Sequence, residues 1–97
     1  MTDLKLWVDN LRDPPDDTWT VARTSTKAIY LLAGTRFLHM SLDHALGGAD
    51  TARKVVLWLC EHPHRWPWHV SVHSANPVGR TWLLGMIDRY KPADGAA

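Results

Sequence analysis

Ninety-seven residues, 45% of them apolar and 22% charged, can bury one core without zinc or disulfides. A net charge of +1 sets up no field that would draw the chain to nucleic acid or to a membrane surface. The single cysteine, Cys60, excludes an intramolecular disulfide and reads as a buried core thiol in a reducing, cytoplasmic setting.

The opening Met1-Thr2-Asp3-Leu4-Lys5 lacks the charged-then-apolar pattern of a signal peptide. No apolar run approaches the roughly 20 residues of a membrane span. One domain over residues 1–97 is expected, with its core over 4–90 and a frayed tail over 91–97.

Leu4 to Val8 predicts a first strand that ends at Asp9-Asn10. Leu4, Leu6 and Val8 share one face, and Lys5 and Trp7 the other. Arg12-Asp13-Pro14-Pro15-Asp16-Asp17 is a loop, because paired prolines continue neither helix nor sheet. Trp19 to Arg23 is a second short strand. Thr24-Ser25-Thr26 then supplies a cap for a helix over Lys27 to Ala33, with Gly34 as its stop.

Arg36 to Leu42 predicts the third strand, running into Asp43-His44. Ala52, Val55, Val56 and Leu59 make one apolar stripe on a helix over Ala52 to Glu61, capped by Asp50 or Thr51 and ended by Pro63. His69 to Val72 is the fourth strand. Asn76 and Pro77 then open a helix over Val78 to Tyr90, whose buried face is Trp82, Leu83, Met86, Ile87 and Tyr90. Unpaired N–H groups at such a helix start favour an anion such as phosphate.

Strands alternating with helices imply right-handed crossovers and a small parallel sheet. The expected fold is α/β, four strands in the order 2-1-3-4, with both sheet faces covered. Three polar strand ends then meet at one edge, where open parallel sheets bind ligands. They are Asp9-Asn10, Asp43-His44 and His73-Ser74-Asn76. Carboxylates and imidazoles so gathered can hold a divalent cation, magnesium or manganese, or carry acid–base chemistry near neutral pH.

These residues resemble a known family, the cyclic-phosphate processing receiver-like domains. Members carry a Leu-Trp-Leu-Asp-Asp-like first strand, a Leu-Asp-His-Asp-Leu-Gly segment and a His-Ser-Ala-Asn-Pro-Val-Gly-Arg turn. Here they stand as Leu6-Trp7-Val8-Asp9-Asn10, Leu42-Asp43-His44-Ala45-Leu46-Gly47 and an intact His73 to Arg80. The resemblance covers about Leu4 to Tyr90. It implies a truncated flavodoxin-like, three-layer αβα receiver fold and phosphodiester hydrolysis of a cyclic nucleotide or a cyclic-phosphate-ended RNA. Carried over, Asp43, His44 and His73 are catalytic, and Ser74, Asn76 and Arg80 hold phosphate. Asp9, Asn10 and Asp43 are the metal positions. Asn10 and Ala45 stand where the family has Asp, which weakens a magnesium or calcium site.

Other readings compete. Trp66-Pro67-Trp68 can pack locally, or present Trp66 and Trp68 to a partner as a hot spot. With Asn10 and Ala45, that loop motivates a non-catalytic module, such as a phage or mobile-element product, that binds a host protein. A receiver switch phosphorylated at Asp43 is a third reading, and it lacks the second acid beside Asp9. His62, His64 and His69 read as solvated loop histidines, and His39 as one satisfied within the core.

Overall fold

The computed structural model describes residues 4–93. Parallel register decides which of them share a face. The strands are β1 (Lys5–Val8), β2 (Trp19–Ala22), β3 (His39–Leu42) and β4 (His69–Val72). All pair in parallel, in the order β2-β1-β3-β4. This is the receiver-like, flavodoxin-like α/β arrangement expected from the sequence. Leu6 and Val8 align with Met40 and Leu42, which align with Val70 and Val72. Period-2 alternation turns these six side chains to one face.

The helices α1 (Ser25–Gly34), α2 (Arg53–Glu61) and α3 (Pro77–Tyr90) cover that face. Ala28 and Leu32 of α1, Val55, Val56 and Leu59 of α2, and Leu83 of α3 join Leu6, Val8, Met40 and Leu42 in one buried cluster. Trp58, Trp82, Met86 and Ile87 pack against it. Each aliphatic side chain buried this completely contributes about 1.5–3 kcal/mol. Tyr90 stays exposed.

The expectation of helices on both faces does not hold among the described residues. The β1-to-β2 connection contains Pro14-Pro15 and forms no helix, and the two crossovers that do carry helices step across the sheet in the same direction. Right-handed crossovers in one direction put their helices on one side. The other face is a ladder of rings instead. Trp7 meets Trp19 edge-on at 5.6 Å, Trp19 meets His39 at 4.9 Å, and His39 meets His69 at 4.7 Å. His39 is tied to Ser71 at 3.1 Å and held below its ordinary pKa by burial and by the neighbouring His69 and Lys5. Trp7 lies on this second face, as its alternation with Leu6 and Val8 predicts.

Local signals set most element ends. Thr24 caps α1 by accepting from the Lys27 N–H. Asn76 caps α3, accepting from Val78 and Gly79, with Pro77 at the first position. α2 differs from expectation: its N-cap is Ala52, without a side-chain bond. Asp50 instead accepts from the Ser25 backbone and hydroxyl, tying the entry of α2 to the start of α1. The third strand is shorter than expected, beginning at His39. The preceding Arg36 side chain instead donates to the Trp66 carbonyl.

Trp66, expected beside Trp68 as a partner contact, is wholly buried in the main cluster. Pro63–Arg65 forms a short 3-10 turn (η1) that folds the loop under, and Arg36 and Arg65 fasten it to the body. Trp68 alone is exposed, at 49%. No helix of the described residues is long and apolar enough to cross a membrane. Residues 1–3, at the edge of the expected domain, and 94–97, most of the expected tail, lie outside the described residues.

These positions predict opposite effects within one loop. Trp66→Ala should cost about 3–5 kcal/mol in urea unfolding, as other buried aromatic truncations do. Trp68→Ala should cost about 0.5 kcal/mol or less. Equal costs would contradict the burial of Trp66.

Candidate active site

The ladder of the sheet runs one residue past the strands. The Asp9 N–H donates to Ala22, Asp43 to Val8 and His73 to Leu42, at 2.9–3.1 Å. Three sequence-distant residues therefore stand side by side at the C-terminal edge. By alternation they continue the face of Trp7, Ser41 and Ser71, the side without helices.

Asp9 is the centre. Its side chain is 1% exposed, yet all its acceptor sites are filled. Oδ1 accepts from the backbone N–H groups of Leu11 and Arg12, each at 2.9 Å. Oδ2 accepts from Arg12 Nε at 3.1 Å and from His73 Nε2 at 3.0 Å. Burial pushes this carboxyl up. The backbone bonds from Arg12 and Leu11, the His73 bond and the Arg12 charge outweigh it, so Asp9 sits below its ordinary value and is ionised.

An ionised carboxylate only accepts, so His73 Nε2 must carry the hydrogen. The other ring nitrogen, Nδ1, faces Ser41 Oγ at 2.7 Å and accepts from that hydroxyl while the ring is neutral. Burial holds the imidazole below its ordinary pKa, against the hydrogen bond and charge of Asp9. The Trp7 ring stacks on it, 3.9 Å between centroids and 5° from parallel. Asp9, His73 and Ser41 thus form a continuous hydrogen-bonded chain whose imidazole is fixed by a tryptophan.

Arg12 closes the edge. Its Nη2 donates to the His73 carbonyl at 3.1 Å and lies 3.5 Å from Asp43 Oδ2. Its own carbonyl accepts from Trp7 Nε1 and Arg23 Nη1. Arg23 also reaches the Asp9 carbonyl and the Asp13 carboxylate. Asp43 Oδ1 accepts from the His44 N–H at 2.8 Å.

The other sequence-predicted residues have different surroundings. His44, one residue on from Asp43, packs its ring against Gly79 of α3, where a Cβ would come within 2.3 Å of it. Its Nε2 accepts from Arg53 Nε at 2.9 Å. Burial, then the Arg53 charge, hold it below its ordinary pKa despite Asp43. His44 and His73 share no bonding partner: one is fastened to α2 and α3, the other to Asp9 and Ser41. Asn76 Oδ1 is engaged by the first two N–H groups of α3, so the helix mouth that favoured phosphate is filled by its own cap. Ser74 Oγ accepts from the Asn76 N–H, and Arg80 Nη1 donates to the Val72 carbonyl. The Asn10 amide lies against Gly47, whose φ of +94° turns the loop there.

A divalent cation does not fit these residues. Asp9 has no free lone pair, the Asn10 amide lies by Gly47, and a guanidinium already stands beside both carboxylates. Among the described residues, no group of three or more His, Cys, Asp or Glu is arranged to hold a metal.

Trp7, Arg12, Arg23, Ser41 and Arg53 were not singled out for the site from the sequence. Three had a readable signal. Trp7 and Ser41 each lie two residues before a strand-end acid, hence on its face. Arg12 follows Asp9 by three, a spacing at which an aspartate accepts from the backbone of a turn.

The sequence model of the cyclic-phosphate processing receiver domain matches residues 4–89. The chain belongs to this family. No curated protein and no solved structure matches it. The match runs from the residue before β1 to the last turn of α3, so the receiver domain includes all four strands, all three helices and the Asp9-His73 edge.

The lowered imidazoles give stability a pH dependence whose sign is fixed. A neutral ring favoured by the fold stabilises fully above the unfolded pKa, about 6.5, and that share is lost as pH falls through the folded value. His39, His44 and His73 all act this way. Asp9 adds a separate loss below its ordinary 3.8, as pH falls through its folded value. Urea midpoints should therefore fall from pH 7 to pH 5, and the fall should be shallower in His73→Gln. An identical slope in the variant would show that His73 is not held neutral by the fold.

Proposed function

We propose that this receiver domain binds and opens a cyclic phosphate, in a cyclic nucleotide or at the end of an RNA, with His73 as its proton-transfer group. The observation that carries this reading is the Asp9–His73–Ser41 path. It supplies a neutral, oriented imidazole at the sheet edge, in a chain whose family is associated with cyclic-phosphate processing. Water adds to phosphorus and one ring P–O ester bond breaks. The water proton passes to His73 Nδ1, through the Ser41 hydroxyl or in its place, and is delivered to the leaving oxygen. The product is a phosphate monoester. Arg12 and Arg80, both exposed at this edge, supply positive charge to the phosphate oxygens. His44 serves as a positioning residue under this reading, because Arg53 and Gly79 hold its ring on the helix side.

A second reading has its own observation. The helix-free face leaves Trp19 and His39 part-exposed and His69 exposed, and Trp68 is exposed beside the Arg36 guanidinium. Such a surface suits a non-catalytic module that docks on a protein.

A panel of 2′,3′- and 3′,5′-cyclic nucleotides and cyclic-phosphate-ended oligoribonucleotides separates the two. At least one should be converted to a monoester, and His73→Ala should slow it by about 10²- to 10⁴-fold. Binding without turnover would favour the docking module. Turnover unchanged in His73→Ala would remove His73 from the chemistry.

A further inference from the structure

Two carboxylates at the C-terminal edge of a parallel sheet are a common seat for a divalent ion. Here the space beside them is taken from within the chain. Asp9 turns the backbone so that Leu11 and Arg12 donate to Oδ1, which aims the Arg12 side chain back over the edge. Trp7 and Arg23 hold the Arg12 carbonyl from two sides. The guanidinium then meets Asp9 Oδ2 at 3.1 Å, the His73 carbonyl at 3.1 Å and Asp43 Oδ2 at 3.5 Å. The Arg12 side chain and N–H are therefore held by the oxygens that would otherwise surround a cation, and its carbonyl by Trp7 and Arg23.

We propose that Arg12 is a built-in replacement for the divalent ion, so that this edge works with a fixed guanidinium as its only central cation. The bonding of Asp9 agrees. Four donors saturate Asp9, and a metal could bind it only by breaking one of those bonds. The guanidinium also keeps donors at its exposed side, because Arg12 remains 54% exposed in its side chain. That is the geometry of a charge offered to an incoming anion.

This inference stands apart from the cyclic-phosphate reading, and its test reads metal rather than turnover. Manganese is titrated into the whole ¹⁵N-labelled chain, and paramagnetic broadening is followed at the amides of residues 9–12, 43–45 and 73–74. The wild type should show no selective broadening there at concentrations up to about 1 mM, the range of the weakest protein sites. Arg12→Ala should gain manganese binding at those amides, about tenfold or more tighter than the wild type. Arg12→Gln keeps the stem of the side chain and the backbone bonds to Asp9, so it carries the same test should the alanine variant unfold. Selective broadening in the wild type would overturn the proposal. So would a folded variant that gains no binding, since Arg12 would then not be what excludes the ion.

Discussion

A negative charge sealed from water is the constraint on which this edge depends. Asp9 follows β1, an interior strand, at a position almost without solvent contact, and a bare carboxylate there would be untenable. Every neighbour answers it. The turn after β1 bends to offer two N–H groups, Arg12 folds back, and His73 arrives from the last strand with its hydrogen on Nε2. The imidazole is then committed to one tautomer, and Ser41 beneath it becomes a donor. One buried charge thereby fixes a loop, a guanidinium, a tautomer and a hydroxyl.

The layering of the sheet follows from the same stretch. With Pro14-Pro15 between the first two strands, the crossover is a loop, and among the described residues it leaves one sheet face without a helix. That loop carries Arg12 and Asp13, so the crossover without a helix is the segment that closes the edge. The open face is stabilised instead by ring contacts from Trp7 through Trp19 and His39 to His69. Trp7 belongs to both systems, stacking on His73 and meeting Trp19 edge-on. The Asp9–His73 edge and the open face are mechanically continuous through it.

Much of this was legible in the residues. Period-2 runs gave the strands, apolar stripes gave the helices, and the alternation of the two gave the order 2-1-3-4. Asn76-Pro77 marked the start of α3 correctly. The meeting of Asp9, Asp43 and His73 followed from that order alone. What escaped was directional. Strand-end position does not say that His44 turns to α2 and α3 while Asp43 turns to Arg12. A Trp-Pro-Trp loop does not announce that η1 will fold its first ring into the core. Asn76 was read from the residues as a helix cap and through the resemblance as a phosphate ligand; its Oδ1 is engaged in the cap, by the Val78 and Gly79 N–H groups. Arg12 lay in a proline-rich loop whose fold depends on a contact 61 residues away.

The protonation pattern of His73 tests the account most directly. A long-range ¹H–¹⁵N correlation spectrum at neutral pH distinguishes the two neutral tautomers from the cation. An account centred on the buried Asp9 charge requires a neutral ring with its hydrogen on Nε2 and a bare Nδ1 toward Ser41. A ring protonated at Nδ1 only, or a fully charged imidazolium at that pH, would contradict it.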